Sequence, residues 1–128
     1  MKIKDQVLSI AQVQELIESG FDVNKHASMC WIKYTSDEEP YEETYNLTIL
    51  DENCYEMSCL SPIPTLTIGD IIKILPKEIE EKVLNIFAFG ETWSVGWEGI
   101  QYCGSNTLID ALFEALKWCI INKHIQCQ

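Results

Sequence analysis

The segment 107–121 carries the widest apolar stripe in the chain, and this stripe constrains the fold more than any other feature. Thr107 is typical of a helix N-cap, and Asp110 follows three residues later, where an acidic side chain is favoured. The apolar side chains that recur at helical spacing are Leu108, Ile109, Leu112, Phe113, Leu116, Cys119 and Ile120. Because so wide an apolar face has to be buried against another layer, the segment predicts a helix that packs on a sheet.

Two further helices are predicted from the same signals. Ser9, with Gln12 three residues later, matches a capping box. Thr67 and Asp70 repeat this spacing, and Pro76 ends the second helix. The apolar stripes are Ile10, Val13, Leu16 and Ile17 in the first helix and Ile68, Ile71, Ile72 and Leu75 in the second. Both helices are therefore expected to pack on the same side of the sheet as the third.

The segments between the helices read as β-strands. Strands are predicted at 29–34, 45–50, 54–59, 83–89 and 92–97, with a short last strand at 100–102. Residues 51–53 are expected to form a hairpin loop, and Gly90 and Glu91 a type II′ turn with glycine at its first position. Pro62 and Pro64 are expected to break the strand ladder, because proline has no N–H to donate.

The order of these elements predicts an α+β fold. The sequence of helices and strands is α-β-β-β-α-β-β-α, without the spacing of βαβ units. We expect a mainly antiparallel sheet with three helices packed on one face. A chain of 128 residues is expected to form a single domain, 1–128, and to build its core without disulfides or metal.

The charge of the chain limits the kinds of molecule that it is expected to bind. The net charge is −11, and all nine basic residues are lysines. Because arginine is preferred for contacts with phosphates and base edges, direct binding to nucleic acid is not expected. The sequence has no apolar run long enough to span a membrane and no pattern of a signal peptide. A soluble, cytoplasmic protein is therefore expected.

The acidic side chains are concentrated in a stretch without any positive residue, between Lys33 and Lys73. Within it, the segment 35–44 reads as linker-like. The predicted partner-binding residues, with the tyrosines as aromatic anchors, are Asp37, Glu38, Glu39, Tyr41, Glu42, Glu43 and Tyr45. The alternative interpretation is a solvated surface that only keeps the protein soluble.

Six cysteines occur without a secretion signal, so reduced thiols are expected rather than disulfides. Cys54 and Cys59 mark the ends of one predicted strand. Since side chains alternate along a strand, these two thiols point to opposite faces and cannot share a metal ion. This stretch therefore predicts a structural segment and not a metal or redox site. The segment is a strand that leads into the helix capped by Thr67.

Two cysteines are candidates for an alternative thiol site. Cys30 lies four residues after His26, and Cys103 precedes a helix N-terminus, where a thiolate is favoured. Together with His124 and Cys127, the first pair has the residue types of a zinc site, but the spacing matches no zinc motif. Neither a metal nor another cofactor is expected.

Trp93, Val95 and Trp97 alternate onto one face of their predicted strand. A face that meets the helices would place all three side chains in the core, which is the interpretation we favour. A face that points outward would form an aromatic platform for a partner.

Three blocks of the chain resemble a family of short acidic proteins found in prophages and other mobile elements of gut anaerobic bacteria. The blocks read GFDVNKHASMCW, CYEMSCLSPIPTLTIGDIIKILPKEI and LIDALFEALKWCIINKHI. The resemblance brings no catalytic residue or cofactor with it. It implies an intracellular, phage-type accessory protein that acts by binding.

Catalytic sequence signatures are missing. The chain has no Walker loop, no Rossmann glycine pattern, and neither HExxH nor GxSxG. The hypothesis we favour is a non-catalytic acidic interaction module that binds a host or phage protein. The alternative is a small enzyme or ligand-binding protein that uses the thiol site, and a homo-oligomer is a third possibility.

Overall fold

The three predicted helices begin at the predicted caps. The computed structural model describes residues 2–50 and 62–125. Ser9 and Gln12 form the reciprocal hydrogen bonds of a capping box, as do Thr67 and Asp70. The helices are α1 (Ile10–Glu18), α2 (Val23–His26), α3 (Ile68–Ile74) and α4 (Leu108–Ile121), after a short 3-10 helix, Ile3–Gln6.

The N-cap of α4 differs from a capping box. Thr107 Oγ1 accepts a hydrogen bond from the Asp110 N–H, as predicted. The Asp110 carboxylate, however, accepts from Gln12 Nε2 at 2.7 Å instead of returning to the backbone of its own cap. The N-termini of α1 and α4 are thereby joined, and Lys117 adds an ion pair with Glu15 at 2.7 Å.

The predicted α+β class is confirmed, with antiparallel sheets and helices in separate layers. The strands are β1 (Met29–Thr35), β2 (Glu43–Ile49), β3 (Ile63–Thr65), β4 (Glu78–Ile79), β5 (Lys82–Phe89), β6 (Thr92–Trp97) and β7 (Gln101–Ser105). They form two sheets, with the orders β2-β1-β3 and β4-β5-β6-β7. The predicted strand 54–59 and its loop 51–53 lie outside the described residues.

Pro64 does not break the ladder as expected. It lies in the middle of β3, opposite Cys30 of β1. The expectation was wrong because β3 is the edge of the described three-stranded sheet, where a strand bonds on one side and proline is tolerated.

One core joins the helices to both sheets. Its large, fully buried side chains include Leu8, Leu16, Leu66, Ile71, Leu75, Trp97, Leu112 and Leu116. The predicted inward face of β6 is confirmed, since Val95 and Trp97 are fully buried and Trp93 packs against the core at its margin. Ile17 is the exception among the predicted stripes. It is 54% exposed, because α1 buries only Val13 and Leu16.

The turn between β4 and β5 carries backbone strain. Ile79 pairs with Lys82, which leaves Glu80 and Glu81 as a two-residue turn with φ angles of +49° and +70°. Two positive φ angles define a type I′ turn, which strongly prefers Asn-Gly. Side chains other than glycine cost roughly 1–2 kcal/mol per residue in this region.

We expect the double variant Glu80→Asn/Glu81→Gly to raise the free energy of unfolding by about 1 kcal/mol, because it relieves the strain in this turn. Urea denaturation measures the change. The matched control is Glu80→Gln/Glu81→Gln, which removes the same two charges and keeps the strain. An equal gain in that control would attribute the effect to charge repulsion instead of the backbone.

Candidate functional site

The acidic segment forms the tip of a β-hairpin. Strands β1 and β2 stay paired up to Thr35 and Glu43. Beyond them, the Ser36 N–H donates to the Glu42 carbonyl at 2.9 Å, and the Glu42 N–H donates to Ser36 Oγ at 2.8 Å. The linker-like interpretation of 35–44 was therefore wrong, because strand pairing and the Ser36 hydroxyl fix the two ends of this loop.

The predicted partner-binding side chains are all exposed on this hairpin. They are Asp37, Glu38, Glu39, Tyr41, Glu42, Glu43 and Tyr45. Glu43 differs from the other acids, because Lys33 Nζ lies 2.9 Å from its carboxylate. This hydrogen bond, with the charge of Glu43, raises the pKa of Lys33. Tyr34, on the opposite face of β1, adds a third exposed tyrosine. The hairpin thus offers acids and aromatic rings together.

The residues of the alternative thiol site lie in different parts of the fold. Cys30 is fully buried in β1, in a small cluster with Ile32. His26 ends α2, and its ring stacks on Phe21 at 5.4 Å. Cys103 belongs to the other sheet, on β7.

The environment of Cys103 disfavours a thiolate. Burial raises its pKa, and the charge of Glu114 acts in the same direction, while a hydrogen bond with Gln101 opposes them. Cys119 of α4 is fully buried, and desolvation raises its pKa to about 12. The expected thiolate-stabilising effect of the nearby helix start is outweighed, because desolvation of the partly buried Cys103 thiol raises its pKa.

We expect Cys103 and Cys119 to be alkylated more slowly in the folded protein than in the unfolded chain at about pH 8. A pKa of about 12 leaves Cys119 with roughly a thousandfold less thiolate than its ordinary pKa of 9.0 would. Isotope-coded alkylation with peptide mass spectrometry resolves each site. If Cys103 reacts faster in the folded state, it is an activated thiol and the alternative site regains support.

Both histidines of the chain line one surface pocket. His26 reaches it from α2, and His124 reaches it from the segment after α4. Cys30 is not among its lining residues, and Cys127 lies outside the described part of the chain. Within residues 2–50 and 62–125, no group of three or more His, Cys, Asp or Glu side chains is placed to hold a metal ion.

A cleft of about 520 Å³ opens between Trp31 of β1 and Trp93 of β6. The Trp31 indole N–H donates to the Leu8 carbonyl at 3.0 Å, and the hydrogen bond between Gln12 and Asp110 closes one side. Several of its polar groups are thus bonded to the protein. The space between the indoles suits a flat apolar group.

In the part of the chain that the structure describes, the outer face of the four-stranded sheet, the side turned away from α4, carries exposed apolar side chains on either side of the polar Asn85. The register places Val83, Phe87 and Phe89 of β5 on this face, with 63%, 45% and 84% of their surface exposed. Tyr102 of β7, 38% exposed, lies on the same face. The three rings together expose roughly 300 Å² of aromatic surface.

Gly96 makes this face flat at its centre. A Cβ atom on Gly96 would lie 2.0 Å from the Gln101 carbonyl oxygen and 2.7 Å from the Tyr102 Cα atom, so β7 leaves no room for a side chain here. The rings of Phe87 and Tyr102 meet edge to face at 5.6 Å, although their strands lie on either side of β6. Only Ser94 and glycines separate them on this face.

Exposed glutamates border the outer face. Glu78 lies beside Val83, and the turns at the two ends of the sheet carry the others. The set, here called the glutamate rim, is Glu78, Glu80, Glu81, Glu91 and Glu98. An apolar centre with a charged border is the usual anatomy of a protein interface.

A signal for the outer face was present in the sequence but was not used. The segment 83–89 reads VLNIFAF, with apolar residues at both odd and even positions. A strand with one face in water alternates apolar with polar residues, whereas a continuous apolar run indicates burial on both faces. In the described part of the chain, one of the two faces packs against the core, through Leu84 and Ile86.

Among the helices of the described chain, none combines the length and the apolar character needed to cross a membrane. The chain matches no protein-family model, no curated protein and no solved structure in the three comparisons made.

Proposed function

We propose that this chain is a non-catalytic protein-interaction module that docks through the outer face of its four-stranded sheet. The observation that carries the proposal is the exposure of Val83, Phe87 and Phe89 on a strand whose other face packs Leu84 and Ile86 against the core. Exposed apolar patches bordered by polar residues mark protein interaction sites. The resemblance to phage-type accessory proteins agrees with a role in binding.

The charge of the border defines the partner. The glutamate rim favours a protein whose own apolar patch is surrounded by lysine or arginine, because opposite charges steer association and like charges repel. A second copy of this chain would bring two such rims together. The presence of Glu80 and Glu81 in a strained turn supports a role for their charge, since strained residues cluster at functional sites.

Size sets a further requirement on the interface. A stable interface buries about 800 Å² on each partner, more than twice the aromatic area of the outer face. The rings therefore form the centre of the contact, and the surrounding turns complete it. Aromatic residues at the centre carry most of the binding energy in such interfaces.

We expect a photo-crosslinking amino acid in place of Phe89 to capture one protein from a lysate of the organism that encodes the chain. The matched control places the same amino acid at Ile121, which is 71% exposed on α4. The captured protein should show a basic surface, and its capture should weaken as salt rises. Capture of the chain itself, or equal capture at both positions, would contradict the proposal. The variant Phe89→Ser should then weaken the purified complex by about 2 kcal/mol, the size at which an interface residue counts as a hot spot.

The acidic hairpin is the second candidate surface, because its acids and three tyrosines are exposed together. Two variants with the same change in charge separate it from the outer face. One replaces Asp37, Glu38, Glu39 and Glu42 by their amides, and the other replaces Glu78, Glu80, Glu81 and Glu91.

We expect the rim variant to lower the association rate of the purified complex about tenfold and to flatten its salt dependence, and the hairpin variant to change the rate less than twofold. Stopped-flow kinetics at two salt concentrations measures both effects. The reverse result would assign binding to the hairpin. Equal small effects would mean that neither set of charges steers association. The hairpin would then be only a solubilising surface, and the proposed role of the glutamate rim would be contradicted.

A further inference from the structure

A surface pocket of about 640 Å³ gathers positive and ionisable side chains in a strongly acidic chain. It lies where α2 and α3 end and where the chain leaves α4. Its nitrogen-bearing side chains are Lys25, His26, Lys73 and His124. These include both histidines of a chain whose net charge is −11.

Each imidazole is held in place by an aromatic ring. His26 stacks on Phe21 with an interplanar angle of 18°, and His124 stacks on Trp118 at 5.0 Å and 21°. The end of α4 fixes His124 further. Lys123 takes a left-handed φ of +61°, and the His124 N–H donates to the Cys119 carbonyl at 2.8 Å, the pattern of a Schellman motif. The backbone therefore aims this imidazole at the pocket.

The acidic group in the pocket wall is already engaged. One carboxylate oxygen of Asp70 accepts hydrogen bonds from the Thr67 N–H, the Ser28 N–H and the Ser28 hydroxyl, at 2.7–3.1 Å. Lys77, beside the pocket, donates to the Ile72 and Leu75 carbonyls at the end of α3. Because these carbonyls form the negative end of α3, the Lys77 ammonium offsets part of the repulsion that this helix end exerts on an anion.

We infer that this pocket binds a phosphate-bearing small molecule. Lys25 and Lys73 supply the positive charge, since lysine binds phosphate as a point charge. The imidazoles donate hydrogen bonds to the phosphate oxygens. Ile74 and Pro76 form an apolar wall for an organic body, and the volume exceeds what a single phosphate group fills.

The two histidines make the test selective, because every imidazole NMR signal comes from this pocket. Inorganic phosphate is titrated into the ¹³C-labelled protein at constant pH and ionic strength, with chloride as the replaced ion. We expect both imidazole signals to shift saturably. The variant Lys25→Gln/Lys73→Gln should raise the half-saturating phosphate concentration about tenfold, because two favourable charge interactions are lost.

The matched control is Lys2→Gln/Lys4→Gln, which changes the net charge equally on another part of the surface. It should leave the half-saturating concentration within about twofold, since exposed charges beyond a Debye length are screened. All four lysines are exposed, so their replacement should leave the core intact. Unchanged amide spectra will verify that both double variants are folded. Shifts that do not saturate, or equal weakening in both double variants, would overturn the inference. Titration with a simple phosphomonoester then tests the apolar wall, which is contradicted if it binds no more tightly than inorganic phosphate.

Discussion

Burial of the Trp97 indole between the four-stranded sheet and α4 is the contact on which the other layers depend. The side chain is fully buried, and its ring centroid lies 5.8 Å from that of Trp118. Its N–H donates to the Pro76 carbonyl at 3.1 Å, which satisfies the one polar atom of the indole and joins β6 to the end of α3. Trp97 thereby contacts α4 and the end of α3 from the four-stranded sheet. The same packing turns the other face of the sheet outward.

The outer face and the phosphate pocket follow from this arrangement. With α4 on the inner side, Phe87 and Phe89 are left in water, and apolar surface in water favours association. Trp118 contacts both Trp97 and the His124 ring. The two proposed sites differ in charge, with glutamates around the first and lysines around the second.

The helix caps and the turn that the sequence predicted correctly depend on local chemistry. The caps at Ser9, Thr67 and Thr107 were correct, because a cap depends on residues three apart. The turn at Gly90 was also correct, with a φ of +65°. The acidic hairpin was misread as a linker because residues 36–42 carry no strand pattern of their own, whereas the pairing of β1 with β2 and the Ser36 hydrogen bonds fix its two ends. His26 and His124 were considered together only as members of a possible zinc set, and their spacing could not show that they line one pocket, since nearly a hundred residues separate them.

By itself, the sequence determined the three longer helices, most of the strands, the alternation of Trp93, Val95 and Trp97 onto one face, and the acidic character of the chain. These depend on spacing and on side-chain chemistry, which are local. Tertiary structure alone decided which face of β5 packs against the core and which stays exposed in the described part of the chain. It also decided that Asp70 would be engaged by Ser28, so that the neighbouring lysines face an anion pocket instead of an ion pair. Both outcomes depend on segments distant in the chain, because a side chain's partners are fixed by packing and not by its neighbours in sequence.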